Sequence, residues 1–529
     1  LYVDSGYLTA TNTTFSANSA QNGGGAYVAR DVSLTGGAFT ANTSIGPYSG
    51  GGLFAGGATA TVVSGTAFIS NSAGGNGGGL YLKIGSLIVT NTQFARNVAN
   101  AIGLGPYGAG GGVYVAAGSM TAMASVFLTN TATPDNGGGA WVNNNAEVRG
   151  GHFTANLASY SGGGLFAKLG TLTASDSQFI SNTAYHGSGG GASVGLDVVS
   201  TNCVINENTA LQSGGGFDIG RSFSMTDTMF MTNTARKSYG GAVFVSGEAT
   251  LVGGAFVSNT ASSGQGGGIR SQTLRINAAQ FISNTAPYAS GGGAFAWHAT
   301  LNGGAFIGNS ADAGGGLKVG DVSFIINSSL AITATQFVSN RASSGNGGGI
   351  ALSCNNSAIC AASITDGAFD RNTAFTGGGG LYVEQITSLP IVNTHFTSNT
   401  AQNGKGGGAW ANYSNATLTG SNFEGNMAKQ DGGGIYVMYA MTATDTVFAG
   451  NASQANGGGA YNSTGRAVLT RGVFTGNRAG QGGGFFTFGP TLSATGTQFL
   501  SNTGQSGGGG VYVVFHAALT NTLFGANTS

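Results

Sequence analysis

The sequence predicts an all-β protein, a parallel β-helix (solenoid) of about 20 coils with roughly 25–27 residues in each coil. A Phe-x-x-Asn motif recurs 20 times, with Ile205 in place of Phe in one copy. One glycine triplet lies between successive copies, weakened only at Gly240-Gly241-Ala242. The intervening segments alternate over a few residues and are rich in Thr, Val and Gly, which favours short strands over a helical repeat.

Composition excludes several classes of protein. The 529 residues carry 18 Lys and Arg against 18 Asp and Glu, so there is no basic surface for nucleic acid or for an anionic membrane. No apolar run reaches the roughly 18 residues of a spanning helix, and we expect no membrane insertion by this segment. A hydrophobic fraction of 41% is untypical of disorder, and six prolines without a three-residue glycine period exclude collagen.

The repeat runs without a linker, so we expect 1–529 to form a single continuous β-helix domain. The chain opens in the strand that elsewhere follows the glycines and closes in the corner that elsewhere precedes them. Because open strand edges recruit further strands, we expect either an excerpt of a longer chain or end-to-end contacts between copies.

Three strands fit into one coil. The first follows the glycines (Ala26–Val28), the second surrounds a Leu-Thr pair (Leu34-Thr35), and the third carries the Phe. At the ~4.8 Å strand spacing, 20 coils would make a rod roughly 96 Å long. The residue two before each Phe is always small, so it should share the inward face with the Phe. Cys203 occupies this position and is therefore interpreted as a buried small hydrophobe, not a nucleophile.

The Asn of the motif is present in all 20 copies. Stacked on its equivalents, its amide could bond to the backbone and to the next Asn, which predicts a structural ladder; a ligand-binding Asn ribbon is the alternative. The glycine triplets are interpreted as corners that need positive φ and close backbone approach.

The middle residue of the strand after the glycines is usually aromatic. In five coils it is instead Ser193, Asp218, Arg270, Lys318 or Ala351, and the charged occupants indicate a solvent-facing position. The sequence thus predicts an exposed aromatic stripe, either an interaction surface for protein or glycan or a device that stabilises the sheet. The stripe comprises Tyr27, Phe54, Tyr81, Tyr114, Trp141, Phe166, Phe244, Phe295, Tyr382, Trp410, Tyr436, Tyr461, Phe486 and Tyr512.

The alternation of Gly-Gly-(Ala/Leu/Ile/Val) with Phe-x-x-Asn resembles the repeats of chlamydial-type polymorphic outer-membrane proteins and of similar bacterial β-helical surface proteins. The resemblance covers the full chain. It implies an extracellular, right-handed β-helix that serves in adhesion.

Residues for catalysis are hard to find. Carboxylates are scattered at about one per coil, and the nearby pair Asp366 and Asp370 flanks the core Phe369 in one corner. The five histidines show no metal-ligand spacing, and the triplets resemble neither calcium-binding repeats nor phosphate loops. We therefore expect no catalytic residues, no metal and no cofactor.

Cys354 and Cys360 bracket a polar loop in one of two unusually long consecutive coils. A disulfide there would suit an oxidising setting, although spacing alone does not establish the bond. The two insertions, near 320–330 and 353–363, would stack into one protrusion, which is either a binding feature or a neutral loop.

Together these features predict a non-enzymatic extracellular or cell-surface rod that acts as adhesin, stalk or filament subunit. The alternative is a carbohydrate-binding or carbohydrate-cleaving β-helix that uses the aromatic face. The expected partners are further copies of the chain and a host or surface glycan or protein, with no nucleic acid.

Overall fold

The computed structural model describes residues 1–57, 59–101, 108–321, 327–354 and 360–529. Within these ranges the chain is all-β, and it contains no helix long and apolar enough to cross a membrane. Strands of successive turns pair in parallel and build a β-solenoid of about 20 turns. The predicted fold class is confirmed.

The chain divides into two compact units. The prediction of one continuous domain over 1–529 stays a prediction. Unit 1 comprises Leu1–Thr250, Gly254–Gly264 and Gly268–Arg270, and unit 2 comprises Leu251–Gly253, Gln265–Gly267 and Ser271–Ser529.

Sheet 1 contains the strands that follow the glycine triplets. The first and third residues of these strands are buried in most turns, as the sequence predicts, and the middle residue lies on the outer side. The strands are Tyr2–Val3, Ala26–Val28, Leu53–Ala55, Leu80–Leu82, Val113–Val115, Ala140–Val142, Leu165–Ala167, Ala192–Val194, Phe217–Ile219, Val243–Val245, Ile269–Arg270, Ala294–Ala296, Leu317–Val319, Ile350–Leu352, Leu381–Glu384, Ala409–Asn412, Ile435–Val437, Ala460–Asn462, Phe485–Thr487 and Val511–Val513.

Sheet 2 contains the strands around the Leu-Thr pair. Its buried and exposed residues alternate, as in Val32–Thr35, because one face is core and the other is outside. The strands are Leu8–Thr11, Val32–Thr35, Ala60–Ser64, Ser86–Thr90, Met120–Met123, Ala146–Arg149, Leu172–Ser175, Val198–Thr201, Phe223–Thr226, Glu248–Val252, Thr273–Asn277, His298–Asn302, Ser328–Thr333, Cys360–Thr365, Leu389–Val392, Ala416–Thr419, Met441–Thr444, Ala467–Thr470, Thr491–Thr495 and His516–Thr520.

Sheet 3 carries the Phe of the motif at the centre of its strands, with Ile205 in place of Phe in one of them. The Phe rings point inward and stack on one another; the centroids of Phe39 and Phe68, for example, are 4.9 Å apart. The strands are Thr14–Ser16, Ala38–Thr40, Ala67–Ile69, Gln93–Ala95, Val126–Leu128, His152–Thr154, Gln178–Ile180, Val204–Asn206, Met229–Met231, Ala255–Val257, Gln280–Ile282, Ala305–Ile307, Gln336–Val338, Ala368–Asp370, His395–Thr397, Asn422–Glu424, Val447–Ala449, Val473–Thr475, Gln498–Leu500 and Leu523–Gly525.

Sheet 4 was not expected, because the sequence predicts three strands per turn and the structure has four. Most of its strands are two residues long, too short to show an alternating pattern. They are Ser19–Ala20, Thr43–Ser44, Ser72–Ala73, Val98–Asn100, Thr131–Thr133, Leu157–Ala158, Thr183–Ala184, Thr209–Ala210, Thr234–Ala235, Thr260–Ala261, Thr285–Ser290, Ser310–Ala313, Arg341–Ala342, Thr373–Ala374, Thr400–Ala401, Met427–Ala428, Ala452–Ser453, Arg478–Gln481 and Thr503–Gly507.

Three left-handed residues bend each turn. The residue three before the Phe and the residue two after it have positive φ, as at Asn12 (48°) and Ala17 (54°), and so does the first glycine of the triplet, as at Gly23 (61°). The third glycine is needed for space: a Cβ on Gly25 would lie 2.8 Å from the Gly52 oxygen and 2.9 Å from Phe39 Cδ1. Both predicted roles of the triplet are confirmed: positive φ belongs to the first glycine, and close backbone approach applies to all three, since a Cβ on Gly23 would meet the Ala26 oxygen.

The Asn side chains form the predicted ladder between sheets 3 and 4. The Asn71 backbone N–H and Nδ2 donate to Asn97 Oδ1, at 3.0 and 2.9 Å, and Nδ2 also donates to the Phe39 carbonyl at 2.8 Å. The same three bonds recur along both units. Each buried amide is therefore satisfied by the turns on either side of it.

Candidate functional site: the outer aromatic ladder and its grooves

The middle positions of sheet 1 form the outer aromatic ladder. Because the strands pair in register, as Tyr27 with Phe54, each ring lies over the ring of the next turn. In unit 1, seven rings from Tyr2 to Phe166 stack with centroids 4.4–6.2 Å apart. In unit 2, six rings from Tyr382 to Tyr512 lie 5.0–6.0 Å apart.

The predicted exposure of this stripe is wrong. All fourteen aromatic residues are buried or half-buried, and Phe295 is 0% and Tyr382 3% exposed. Stacking covers the ring faces, and the segment before each glycine triplet covers part of the outer side. Gly377, for instance, lies so close to the Trp410 ring that a Cβ on it would be 2.7 Å from Trp410 Cζ3. Lys405 Nζ lies over the Tyr436 ring, 4.2 Å from its centroid.

Stacking decides what the ladder can do chemically. The rings of Tyr436, Tyr461 and Phe486 are 5.0 Å apart and within 6° of parallel, so each face is occupied by the neighbouring ring. A sugar or a base that stacks on an aromatic side chain needs a free face. Where the rings stack in this way, only ring edges and hydroxyl groups are left for a ligand, which favours the stabilising role of the ladder. Trp410 differs, because it meets Tyr382 and Tyr436 edge to face.

In unit 1 the aromatic run is interrupted by Ser193, Asp218 and Arg270. Burial raises the pKa of Asp218 to about 7, although Ser193 Oγ donates to the carboxylate at 3.4 Å. The Arg270 guanidinium lies over the Tyr239 ring, 4.2 Å from its centroid, and burial lowers the pKa of this group. Charged residues at this position are thus partly covered.

In unit 2 the interruptions are Lys318 and Ala351. The Lys318 side chain is buried, with 8% of the residue exposed, and Nζ donates to Ser353 Oγ at 2.7 Å. Burial lowers the pKa of the ammonium to about 8. The charge of Lys318 therefore did not indicate a solvent-facing position, contrary to the sequence-based inference.

A groove of about 430 Å³ opens beside the ladder in unit 1. It combines ring edges with tyrosine hydroxyls, one amide and one ammonium group, so it could hold a small ligand with apolar and polar or anionic parts. It is lined by Asn22, Tyr27, Tyr48, Phe54, Tyr81 and Lys83.

A second groove, of about 450 Å³, lies in unit 2 and is lined by Thr464, Phe488, Pro490, Phe515 and His516. Phe488 and Phe515 are 53% and 58% exposed, and their rings meet edge to face at 5.9 Å. Sequence analysis missed them because they lie outside the repeated motifs. Phe488 and Phe515 are separated in the sequence by close to one repeat period, which could have indicated that they lie side by side in successive turns.

The cysteines fall into two environments. Cys203 is buried, its Sγ donates to the Thr201 carbonyl at 3.2 Å, and burial raises the pKa of the thiol, so the inward position is confirmed. Cys354 and Cys360 are joined by a disulfide with Cα atoms 6.5 Å apart. Residues 322–326 and 355–359 lie outside the described ranges, so the protrusion expected at 320–330 and 353–363 falls partly outside them.

The described part of the chain offers no cluster of side chains suited to a metal ion. No group of three or more His, Cys, Asp or Glu side chains there could hold a metal ion. Asp366 occupies a left-handed corner (φ 52°), while Asp370 forms an ion pair with Arg371 at 2.8 Å.

No family model, curated protein or solved structure matches this chain. A β-solenoid is compatible with both rod-like surface proteins and carbohydrate-interacting proteins.

Proposed function

We propose that the chain is an extracellular structural protein, a stiff rod at a cell surface that acts as adhesin, stalk or filament subunit. The repetition of one turn carries this proposal. Each turn adds the same Asn bonds, the same inward Phe and usually a further outer ring, so the repeated residues maintain the solenoid instead of assembling a reactive centre.

Two further observations support an extracellular setting. The Cys354–Cys360 disulfide is of the kind that persists under oxidising conditions. The paired motifs also resemble those of bacterial β-helical surface proteins, which act in adhesion.

The test has a cellular and a physical part. Intact source cells are treated with protease and separately extracted without lysis, and the released protein is imaged by electron microscopy. We expect release without lysis and particles whose length is on the order of 96 Å or a multiple of it. Recovery only after lysis, or compact round particles, would contradict the proposal.

The groove in unit 1 favours a second candidate function, the binding of an acidic carbohydrate. Lys83 supplies a positive charge beside the hydroxyls of Tyr27, Tyr48 and Tyr81. Binding to an array of neutral and acidic oligosaccharides is measured for the natural chain and for Lys83→Glu. If the variant loses binding to acidic glycans and keeps binding to neutral ones, the result supports this function. Equal binding of acidic glycans by both proteins would contradict it.

A further inference from the structure

The outer face of sheet 3 in unit 1 is uncharged. It consists of the residues directly before and after the central residue of each strand, which point away from the core. Over the ten strands from Thr14–Ser16 to Ala255–Val257 these outward positions include no Asp, Glu, Lys or Arg. Ile69, Leu128, Ile180 and Met231 are half-exposed there. Eight of the twenty outward residues are polar, among them His152 and Thr154 of the sixth strand, so the face is uncharged and of mixed polarity, as protein interfaces commonly are.

The corner that follows these strands is a polar rim with two charges. Its residue two after the Phe is Ala, Ser or Thr in every turn of unit 1 except at Arg96 and Glu207. Both side chains are exposed: Arg96 Nε donates to Ser70 Oγ at 3.4 Å, and Glu207 accepts from Ser181 Oγ at 3.1 Å. Neither forms an ion pair within the described residues. A centre depleted of charged residues and surrounded by a polar rim is the usual anatomy of a protein interface.

The two charges are placed symmetrically. Arg96 belongs to the fourth turn and Glu207 to the eighth, so the sixth strand, His152–Thr154, lies midway between them. A two-fold axis parallel to this strand would place the face of one copy on that of another, with strand directions preserved. Turn 4 of one copy would then face turn 8 of the other. The corner that follows the sheet-3 strand in one copy would face the equivalent corner in the other copy.

The same axis also brings together the largest apolar residues that follow the central Phe. Leu128 in turn 5 would face Ile180 in turn 7, and Ile69 in turn 3 would face Met231 in turn 9. On the opposite rim, Asp176 and Asp227 would face the uncharged corners at Ala124 and Gly65. No like charges on these two rims are brought together.

We propose that two copies of the chain form an isologous dimer through the sheet-3 face of unit 1, with two reciprocal Arg96–Glu207 ion pairs at its rim. Ten turns at ~4.8 Å, each about 20 Å wide with its corners, offer on the order of 900 Å² per copy, enough for a standard interface. The absence of Lys and Arg from the face argues against a lipid surface as its occupant. The proposed dimer is independent of the proposed location at a cell surface.

Sedimentation velocity over a concentration series tests the dimer with the full chain. Leu128→Lys should weaken dimerisation at least about tenfold, because it buries an unpaired charge at the centre of the face. Ile88→Lys changes an apolar residue of the same half-exposed class on the outer side of sheet 2 in unit 1; it is the matched control and should leave dimerisation unchanged. Circular dichroism verifies that both variants are folded.

A charge exchange tests the two-fold arrangement. Arg96→Glu and Glu207→Arg should each weaken the dimer several-fold, more at low than at high salt, and the double variant should restore it. A natural chain that stays monomeric at all concentrations overturns the proposal. So does self-association that Leu128→Lys leaves intact, or a double variant no better than either single one.

Discussion

The Asn ladder inside the turn and the outer aromatic ladder on sheet 1 differ in the substitutions they accept. The inner position is Asn in every turn, whereas the outer position holds Tyr, Phe or Trp in most turns and Ser, Asp, Arg, Lys or Ala in others. A buried amide must satisfy fixed donors and acceptors, and Asn alone has the right length and both groups. The outer position only has to be covered by its neighbours, which many side chains allow.

The largest effect is expected from the inner ladder. Asn156→Ala removes the acceptor of the Asn130 N–H and Nδ2 and the donor to the Phe127 carbonyl, at 3.0, 3.0 and 2.8 Å. Because these groups stay buried without partners, we expect local destabilisation of about 3 kcal/mol. Hydrogen exchange of the adjoining strands measures it.

Thr154→Ala is the control for this prediction. It shortens an outward side chain two residues away and should cost less than about 0.5 kcal/mol. Equal protection factors in the two variants would show that the Asn amide is dispensable.

A smaller effect is expected from the outer ladder. Tyr461→Ala removes a ring held between Tyr436 and Phe486, each 5.0 Å away, and should destabilise this part of unit 2 by about 1–2 kcal/mol. Phe488→Ala, in the same unit but outside the ladder and exposed, is the comparison. A larger loss of thermal stability for Phe488→Ala would contradict the stabilising role of the stack.

The sequence predicted the environment of positions whose residue type repeats strictly, and it missed the short sheet-4 strands and the burial of charged residues in the outer aromatic ladder. The inward Phe, the Asn bonds and the buried Cys203 follow from period and residue type, because strict repetition implies a shared environment. The burial of Lys318 does not follow from its own type, since it depends on neighbouring residues such as Ser353 of the next turn, to which its ammonium donates. The left-handed corners carried a weak signal, because Asn12, Asp176 and several glycines are typical of positive φ.

The smallest expected effect concerns Asp218, a partly covered charged residue of the outer aromatic ladder, compared with a neutral Asn at the same position. The pKa of Asp218 is raised to about 7 by burial, so between pH 4 and pH 7 the folded chain binds more protons than the unfolded chain. Stability from this carboxyl is therefore fully present below about pH 4 and is lost as pH rises through 7. Asp218→Asn should abolish this dependence of stability on pH. At pH 8 the variant should be more stable than the natural chain by about 1–2 kcal/mol.

Hydrogen exchange at Phe217–Ile219, measured from pH 4 to pH 8 and corrected for the intrinsic exchange rate, follows this effect in unit 1. Ser193→Ala is the matched variant, because Ser193 donates to the carboxylate and so lowers the pKa of Asp218. Its removal should extend the loss of stability to higher pH. Two outcomes would contradict the prediction: a natural chain whose stability does not change between pH 4 and pH 7, or a pH dependence that persists in Asp218→Asn. Either would show that the Asp218 carboxylate stays hydrated. The outer aromatic ladder would then cover its charged residues less completely than its rings.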